Sequence, residues 1–117
     1  MSETNLFNLD KLRSYVGNNN ADVKDMIALF LEIIPAQKQK LQNALNKSDW
    51  GTLNYISHQI KPSLDILGLS ATKEKARAVE SLAKTGNEEE VIRKFVTELC
   101  QELDAICKNL RTEMEKL

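Results

Sequence analysis

The sequence predicts an all-α protein, an up-down four-helix bundle with a short additional N-terminal helix. Apolar residues recur at helical intervals over most of the chain, and no run of alternating β-branched or aromatic residues indicates a strand. A chain of 117 residues is long enough for one core and too short for two. We therefore expect a single domain over residues 1–117, with the short helix and its loop in 1–20 and the bundle in 21–117.

The first two helices are delimited by asparagine and glycine. A short helix is predicted over about residues 9–16, with Asn8 as its N-cap and Gly17 as its stop. The second helix is predicted over about residues 22–46. Pro35 lies inside it and removes one backbone hydrogen bond, so we expect a bend there.

Three further helices follow, each after a residue that can serve as an N-cap. Ser48 is predicted to cap a helix that continues to about residue 67, and Ser70 to cap a helix over about residues 71–84. Asn87 is predicted to cap the last helix, whose acidic first turn suits the positive end of the helix dipole. Short turns between long helices indicate the up-down arrangement.

Composition excludes several classes of function. The 16 Lys and Arg residues are balanced by 17 Asp and Glu residues, so no excess positive charge attracts a nucleic acid. No apolar run reaches the roughly 18 residues that a membrane span requires. Cys100 and Cys107 lie two helical turns apart, about 10 Å, and cannot form a disulfide. We expect a cytoplasmic monomer that binds no metal, with both thiols as buried hydrophobes.

The single histidine, His58, is the one residue of the third predicted helix with chemistry of its own. At about 100° per residue, the apolar residues of that helix cluster around Ile60, while His58 lies about 160° away. The imidazole is therefore predicted to point away from the core. From position alone, an ordinary solvated surface histidine is the leading interpretation.

The residues around His58 resemble the signature of histidine-phosphotransfer (HPt) domains. The segment 57–63 reads Ser-His-Gln-Ile-Lys-Pro-Ser, and residues 66–69 read Ile-Leu-Gly-Leu. The family pattern is approximately His-x-Leu-Lys-Gly-Ser followed by Leu-Gly. The similarity extends upstream through Phe30 and Pro35 and downstream to Glu80 and Gly86. One departure is Pro62, which stands where the family usually has glycine.

The resemblance implies a phosphorelay intermediate. His58 would accept a phosphoryl group from the aspartyl phosphate of a response-regulator receiver domain and pass it to another receiver, so its partners would be receiver domains and a hybrid histidine kinase. Lys61, one turn later, would stabilise the phosphoryl charge. No cofactor is expected on this chain, because the receiver would supply the Mg²⁺. The chain would be a carrier without kinase or ATPase activity of its own.

Further site residues are assigned around His58 with alternatives left open. Partner-binding residues are predicted on both sides of the histidine: Gln59, Pro62, Tyr55, Asp65 and Leu69. Gln59 could instead be an ordinary solvated residue, and Leu69 and Tyr55 could be peripheral core residues. Glu80 is either an acid that orients the imidazole or simply an exposed acid, and the second interpretation is favoured.

Two other functions compete with the relay. The chain could be a helical-bundle adaptor that only binds signalling partners, and Pro62 is the best argument for it. A small hydrolase with His58 as general base is disfavoured, because no set of nucleophile, base and orienting residue can be assembled. An autophosphorylating kinase is disfavoured by the lack of a recognisable nucleotide-binding motif.

Overall fold

A computed structural model describes residues 9–117, which form five helices and no strand. The helices are α1 (Leu9–Val16), α2 (Asn20–Asn46), α3 (Trp50–Ile66), α4 (Ser70–Ala83) and α5 (Glu89–Glu115). The predicted all-α class, with four bundle helices after a short first helix, is confirmed. The predicted N-cap Asn8 lies outside the described residues.

Helices α2 to α5 each pack against the next in sequence, and α5 returns to pack against α2, which closes the bundle. Helix α1 packs against α2, and its Leu12 is fully buried in the same apolar core that the four longer helices share. The two 27-residue helices, α2 and α5, are each about 40 Å long. Despite that length, no helix within residues 9–117 is apolar enough along a sufficient stretch to cross a membrane.

The start of α3 differs from the prediction by one residue. Ser48 is not the N-cap, because it adopts a left-handed φ of 52° and closes α2, with its N–H donating to the carbonyl of Leu45. Asp49 caps α3 instead, and its Oδ1 accepts a hydrogen bond of 3.1 Å from the N–H of Thr52. Ser48 and Asp49 can both cap a helix, but Ser48 is used to close α2, so the capping position of α3 falls to Asp49.

The last two helices also begin differently from the prediction. Ser70 is already helical, the N-cap position is Leu69, and no side chain caps α4. Asn87 is likewise not a cap, since Glu88 occupies that position and α5 begins at Glu89 without a capping side chain. The acidic first turn of α5 is confirmed, with Glu89 and Glu90 at the positive end of the dipole.

Both prolines lie inside helices that continue past them. Pro35 is within α2 and Pro62 within α3, and each leaves the carbonyl four residues earlier without its helical donor. Pro62 is exposed, so water can reach the freed carbonyl of His58.

The two cysteines are free and buried on α5, as predicted. Burial raises the pKa of the Cys100 thiol to about 11 and also raises that of Cys107. Both side chains therefore stay protonated at neutral pH and pack as small hydrophobes.

Candidate functional site

Helix α3 holds His58 away from the bundle core. The opposite face of the helix packs inward, with Leu53, Ile60 and Leu64 fully buried. The side chain of His58 is 65% exposed, which confirms the direction predicted from the helical repeat. Burial of the opposite face fixes the orientation of α3, and the imidazole therefore faces the solvent.

Glu80 on α4 connects the histidine to the lysine one turn later on α3. Its Oε2 lies 2.8 Å from Nδ1 of His58, and its Oε1 lies 2.7 Å from Nζ of Lys61. The hydrogen bond from Lys61 is the largest effect on the pKa of Glu80; burial opposes it, the hydrogen bond from His58 adds to it, and the net result is a pKa below the ordinary value. Glu80 is only 18% exposed, so it is not the simple exposed acid that the sequence favoured.

The contact with Glu80 determines which ring nitrogen carries the proton. An ionised carboxylate can only accept a hydrogen bond, so Nδ1 of His58 must donate its N–H to Glu80. In the neutral ring, the lone pair then lies on Nε2. The arrangement presents the unprotonated nitrogen of an exposed imidazole, which is the form that can act as a nucleophile.

Asn54 fixes the backbone of α4 beside this contact. Asn54 lies one turn before His58 on α3, and its Nδ2 donates a hydrogen bond of 2.6 Å to the carbonyl oxygen of Glu80. The side chain is half-buried between the two helices. Sequence reasoning missed Asn54, because nothing in the chain shows which carbonyl of α4 faces it.

A groove of about 390 Å³ lies beside the imidazole, between α3 and α4. Six residues line it: His58, Lys61, Pro62, Asp65, Lys73 and Arg77. Three of them are cations and one is a carboxylate, so the groove is positive although the chain carries a net charge of -1.

Two of these groove cations, Lys73 and Arg77, were missed by the sequence analysis. They lie seven and three residues before Glu80, at intervals that place all three on one face of α4. This spacing could have identified them once Glu80 was placed against His58.

Three of the predicted partner-binding residues are exposed near His58. Tyr55 is 59% exposed, and its hydroxyl accepts a hydrogen bond of 2.8 Å from Nε2 of Gln59. Gln59 and Pro62 are exposed as well. A docking partner can therefore reach all three.

Asp65 is tied to its own molecule. Its Oδ1 lies 3.0 Å from Nζ of Lys73 and 3.3 Å from Nζ of Lys11, and these two lysines lower its pKa, Lys73 first. The pair with Lys11 connects α1 to α3. Asp65 is 42% exposed, so it still borders the surface.

Leu69 was wrongly predicted to contact a partner. It is 3% exposed and belongs to the core cluster. Gly68, with a left-handed φ of 73°, turns the chain sharply between α3 and α4, so that the residues on both sides of it, Leu67 and Leu69, point inward. Almost none of the Leu69 side chain is therefore available to a visiting protein.

Metal binding has no support in the side-chain arrangement of residues 9–117. No group of three or more His, Cys, Asp and Glu side chains in that part of the chain could hold an ion.

The fold is shared with a solved HPt domain. The structure superimposes on the crystal structure of the HPt domain from an Hpt sensor hybrid histidine kinase from Shewanella, with a TM-score of 0.80 and coverage of 97% of each chain. The two sequences are 20% identical, so this likeness concerns the fold. No curated protein sequence matches the chain.

A family model matches at the level of sequence. The model described as Hpt domain covers residues 25–113, which include α3, α4 and most of α2 and α5. The match spans well over half of the chain and includes His58, Lys61 and Glu80. The chain therefore belongs to the Hpt domain family, a family of phosphotransfer carriers.

Proposed function

We propose that the protein is a phosphorelay intermediate that accepts a phosphoryl group on Nε2 of His58 from a receiver-domain aspartyl phosphate and passes it to another receiver aspartate. One observation supports this above all others. The imidazole is 65% exposed while its Nδ1 is held by Glu80, which leaves Nε2 oriented and accessible. Membership of the Hpt family supports a phosphotransfer role in general.

The transfer balances without an added base. The Nε2 lone pair attacks phosphorus, the Nε2–P bond forms, the P–O bond to the aspartate breaks, and the aspartate leaves as a carboxylate. The ring keeps the proton on Nδ1 and becomes positively charged. Glu80, 2.8 Å from Nδ1, stabilises that charge. In the onward step, the aspartate carboxylate of a second receiver attacks phosphorus, a new O–P bond forms and the Nε2–P bond breaks. The ring is then neutral again.

Lys61 supplies positive charge next to the reacting ring. It lies one turn after His58 on α3, and Glu80 holds its ammonium group at 2.7 Å. Because phosphoryl transfer depends mainly on positioning and on neutralising charge on the moving oxygens, one nucleophile and one cation on this side are a sufficient contribution. The receiver is expected to bring the Mg²⁺ and the remaining catalytic groups.

The partners that fit this surface are response-regulator receiver domains and a hybrid histidine kinase. HPt domains act with both in phosphorelays, and Tyr55, Gln59 and Pro62 form the exposed surface next to His58 that a receiver would contact. Tyrosine is favoured in such interfaces because it combines a rigid apolar ring with a polar end. We propose no kinase or ATPase activity for this chain.

Pro62 is the residue through which the relay can be tested against a binding-only adaptor. Glycine, usual at this position, and proline both lack a long side chain that would block a partner from the imidazole, so we expect transfer to be preserved. Comparing transfer rates of the parent and Pro62→Gly tests this expectation. Transfer in the variant together with none in the parent would favour the adaptor.

The deciding experiment is incubation with a panel of phosphorylated receiver domains. We expect an acid-labile, base-stable phosphoryl label on the parent and none on His58→Gln, with both proteins folded by circular dichroism. The matched control is Gln101→Ala, which truncates an exposed glutamine on α5 and leaves the imidazole and the surface around it unchanged. A folded parent that takes no label from any receiver would overturn the relay and favour the adaptor.

A further inference from the structure

The phosphorylated site needs more positive charge than Lys61 supplies. The ammonium of Lys61 is already paired with the carboxylate of Glu80 at 2.7 Å. A phosphoryl group adds a charge close to −2 at neutral pH, on the ring nitrogen opposite the one that Glu80 holds. Even with the positive ring counted together with Lys61 and Glu80, the site carries a net excess of negative charge unless another cation approaches it.

The groove beside His58 contains two further cations, and they differ in how firmly they are held. Lys73 is 28% exposed and its Nζ lies 3.0 Å from Asp65. Arg77 is 54% exposed, and its Nη2 lies 3.5 Å from Oε2 of Glu74, within the same helix. Exposed pairs of this kind contribute little to stability, so Arg77 can leave Glu74 at little cost.

The position of Arg77 directs it to the histidine. It lies three residues before Glu80 on α4, so both side chains project from the same face of the helix toward α3. Glu80 contacts Nδ1 of His58, and Arg77 borders the groove that the same imidazole lines.

Building on the proposed function, we propose that Arg77 is a second phosphoryl-binding cation that turns from Glu74 to the phosphoryl oxygens on Nε2 of His58. A guanidinium is suited to this task because it remains charged and presents two parallel N–H donors to two phosphate oxygens. Glu80 and Arg77, one turn apart on α4, thereby act on opposite sides of the ring. Glu80 orients Nδ1, and Arg77 binds the group carried on Nε2.

The test uses the full chain and no partner protein. Phosphoramidate serves as the donor: Nε2 of His58 attacks its phosphorus, the P–N bond breaks and ammonia leaves. The pH titration of the bound phosphoryl group is then followed by ³¹P NMR in the parent, Arg77→Gln and Arg77→Lys. A nearby cation favours the dianion, so its loss makes the phosphoryl group hold a proton more tightly.

We expect Arg77→Gln to raise the proton affinity of the phosphoryl group about threefold to tenfold, and Arg77→Lys to recover part of the difference. The difference should shrink as salt is added, because the site is open to solvent. Arg93→Gln is the matched control, since Arg93 is another surface arginine in an ion pair within its helix, at 2.8 Å from Glu89, and does not line the groove. It should titrate like the parent.

The outcomes separate this inference from the function on which it rests. A parent that takes a phosphoryl group from neither phosphoramidate nor receivers contradicts the proposed function, and the role of Arg77 with it. A labelled parent whose titration is unchanged in Arg77→Gln contradicts the role of Arg77 alone. An unchanged titration combined with weaker binding to an unphosphorylated receiver would show that Arg77 contacts the partner, which also overturns the inference.

Discussion

Replacing Glu80 with glutamine removes one negative charge and keeps the shape of the side chain. The amide can still accept the hydrogen bond from Nδ1 of His58, but it no longer stabilises the positive charge of the phosphorylated ring. For unit charges at the observed separation of 2.8 Å, that stabilisation is about 1.5 kcal/mol even at the dielectric constant of water. This energy corresponds to about tenfold in an equilibrium constant.

The assay is the equilibrium distribution of phosphoryl label between this protein and a receiver domain. Glu80→Gln also releases Lys61 and removes the repulsion between Glu80 and the phosphoryl group on the far nitrogen, and both effects offset part of the loss. We therefore expect the fraction of label on His58, relative to the receiver, to fall about threefold to tenfold.

Glu98→Gln is the matched control for this experiment. Glu98 is also an acid paired with a lysine of α4, at 2.9 Å from Lys75, and Lys75 likewise lowers its pKa. It lies on α5 and does not contact His58. If both variants kept the distribution of the parent within about twofold, the charge of Glu80 would have no part in stabilising the phosphorylated ring.

Three other predictions concern the bundle and its surface. Leu69→Ala should lower the free energy of unfolding by about 2–5 kcal/mol, because Leu69 is buried. Tyr55→Ala should leave the free energy of unfolding nearly unchanged and weaken receiver binding. The opposite pattern in denaturation and binding assays would show that Leu69 belongs to the docking surface. The pKa of Glu80 is lowered in the fold, so its stabilising effect is complete above its ordinary value of 4.5 and is lost as the pH falls through the lowered value. Glu80→Gln should therefore show a smaller loss of stability on acidification, and an identical acid profile would contradict this. Gly86→Ala should destabilise the protein by about 1–3 kcal/mol in urea unfolding, because φ is +69° and the added Cβ would collide with the indole of Trp50; unchanged stability would contradict that packing.

The direction of His58 was predictable because it depends only on the helical repeat. Leu53, Ile60 and Leu64 define the buried face of α3, and a regular helix fixes the angle between that face and any other residue. The same local logic placed all five helices. It requires no knowledge of how the helices pack against one another.

The first residues of the helices and the direction of the Leu69 side chain were harder to predict, because both depend on the conformation of the turns between helices. At Ser48 and Asp49, two residues capable of capping compete, and the left-handed residue that closes α2 settles the choice. Leu69 lies one residue beyond Gly68, whose positive φ reverses the direction that a continued helix would give.

The contacts of Glu80, Arg77 and Asn54 depend on the rotation of α4 against α3. Sequence spacing places Glu80 and Arg77 on one face of α4 but does not indicate which face of α3 they meet. The resemblance to HPt domains drew attention to Glu80 without fixing its role. The two hydrogen bonds of its carboxylate became visible only with the helices packed.

The most direct test of the account is to determine which imidazole nitrogen of His58 carries phosphorus. Long-range ¹H–¹⁵N NMR correlations of the ring, recorded before and after phosphorylation, identify the nitrogen that bears the proton and the nitrogen that bears the phosphoryl group. We predict a proton on Nδ1 in both states and phosphorus on Nε2 after transfer, because Nδ1 donates to Glu80 at 2.8 Å. Phosphorus on Nδ1, or on any residue other than His58, would contradict the account.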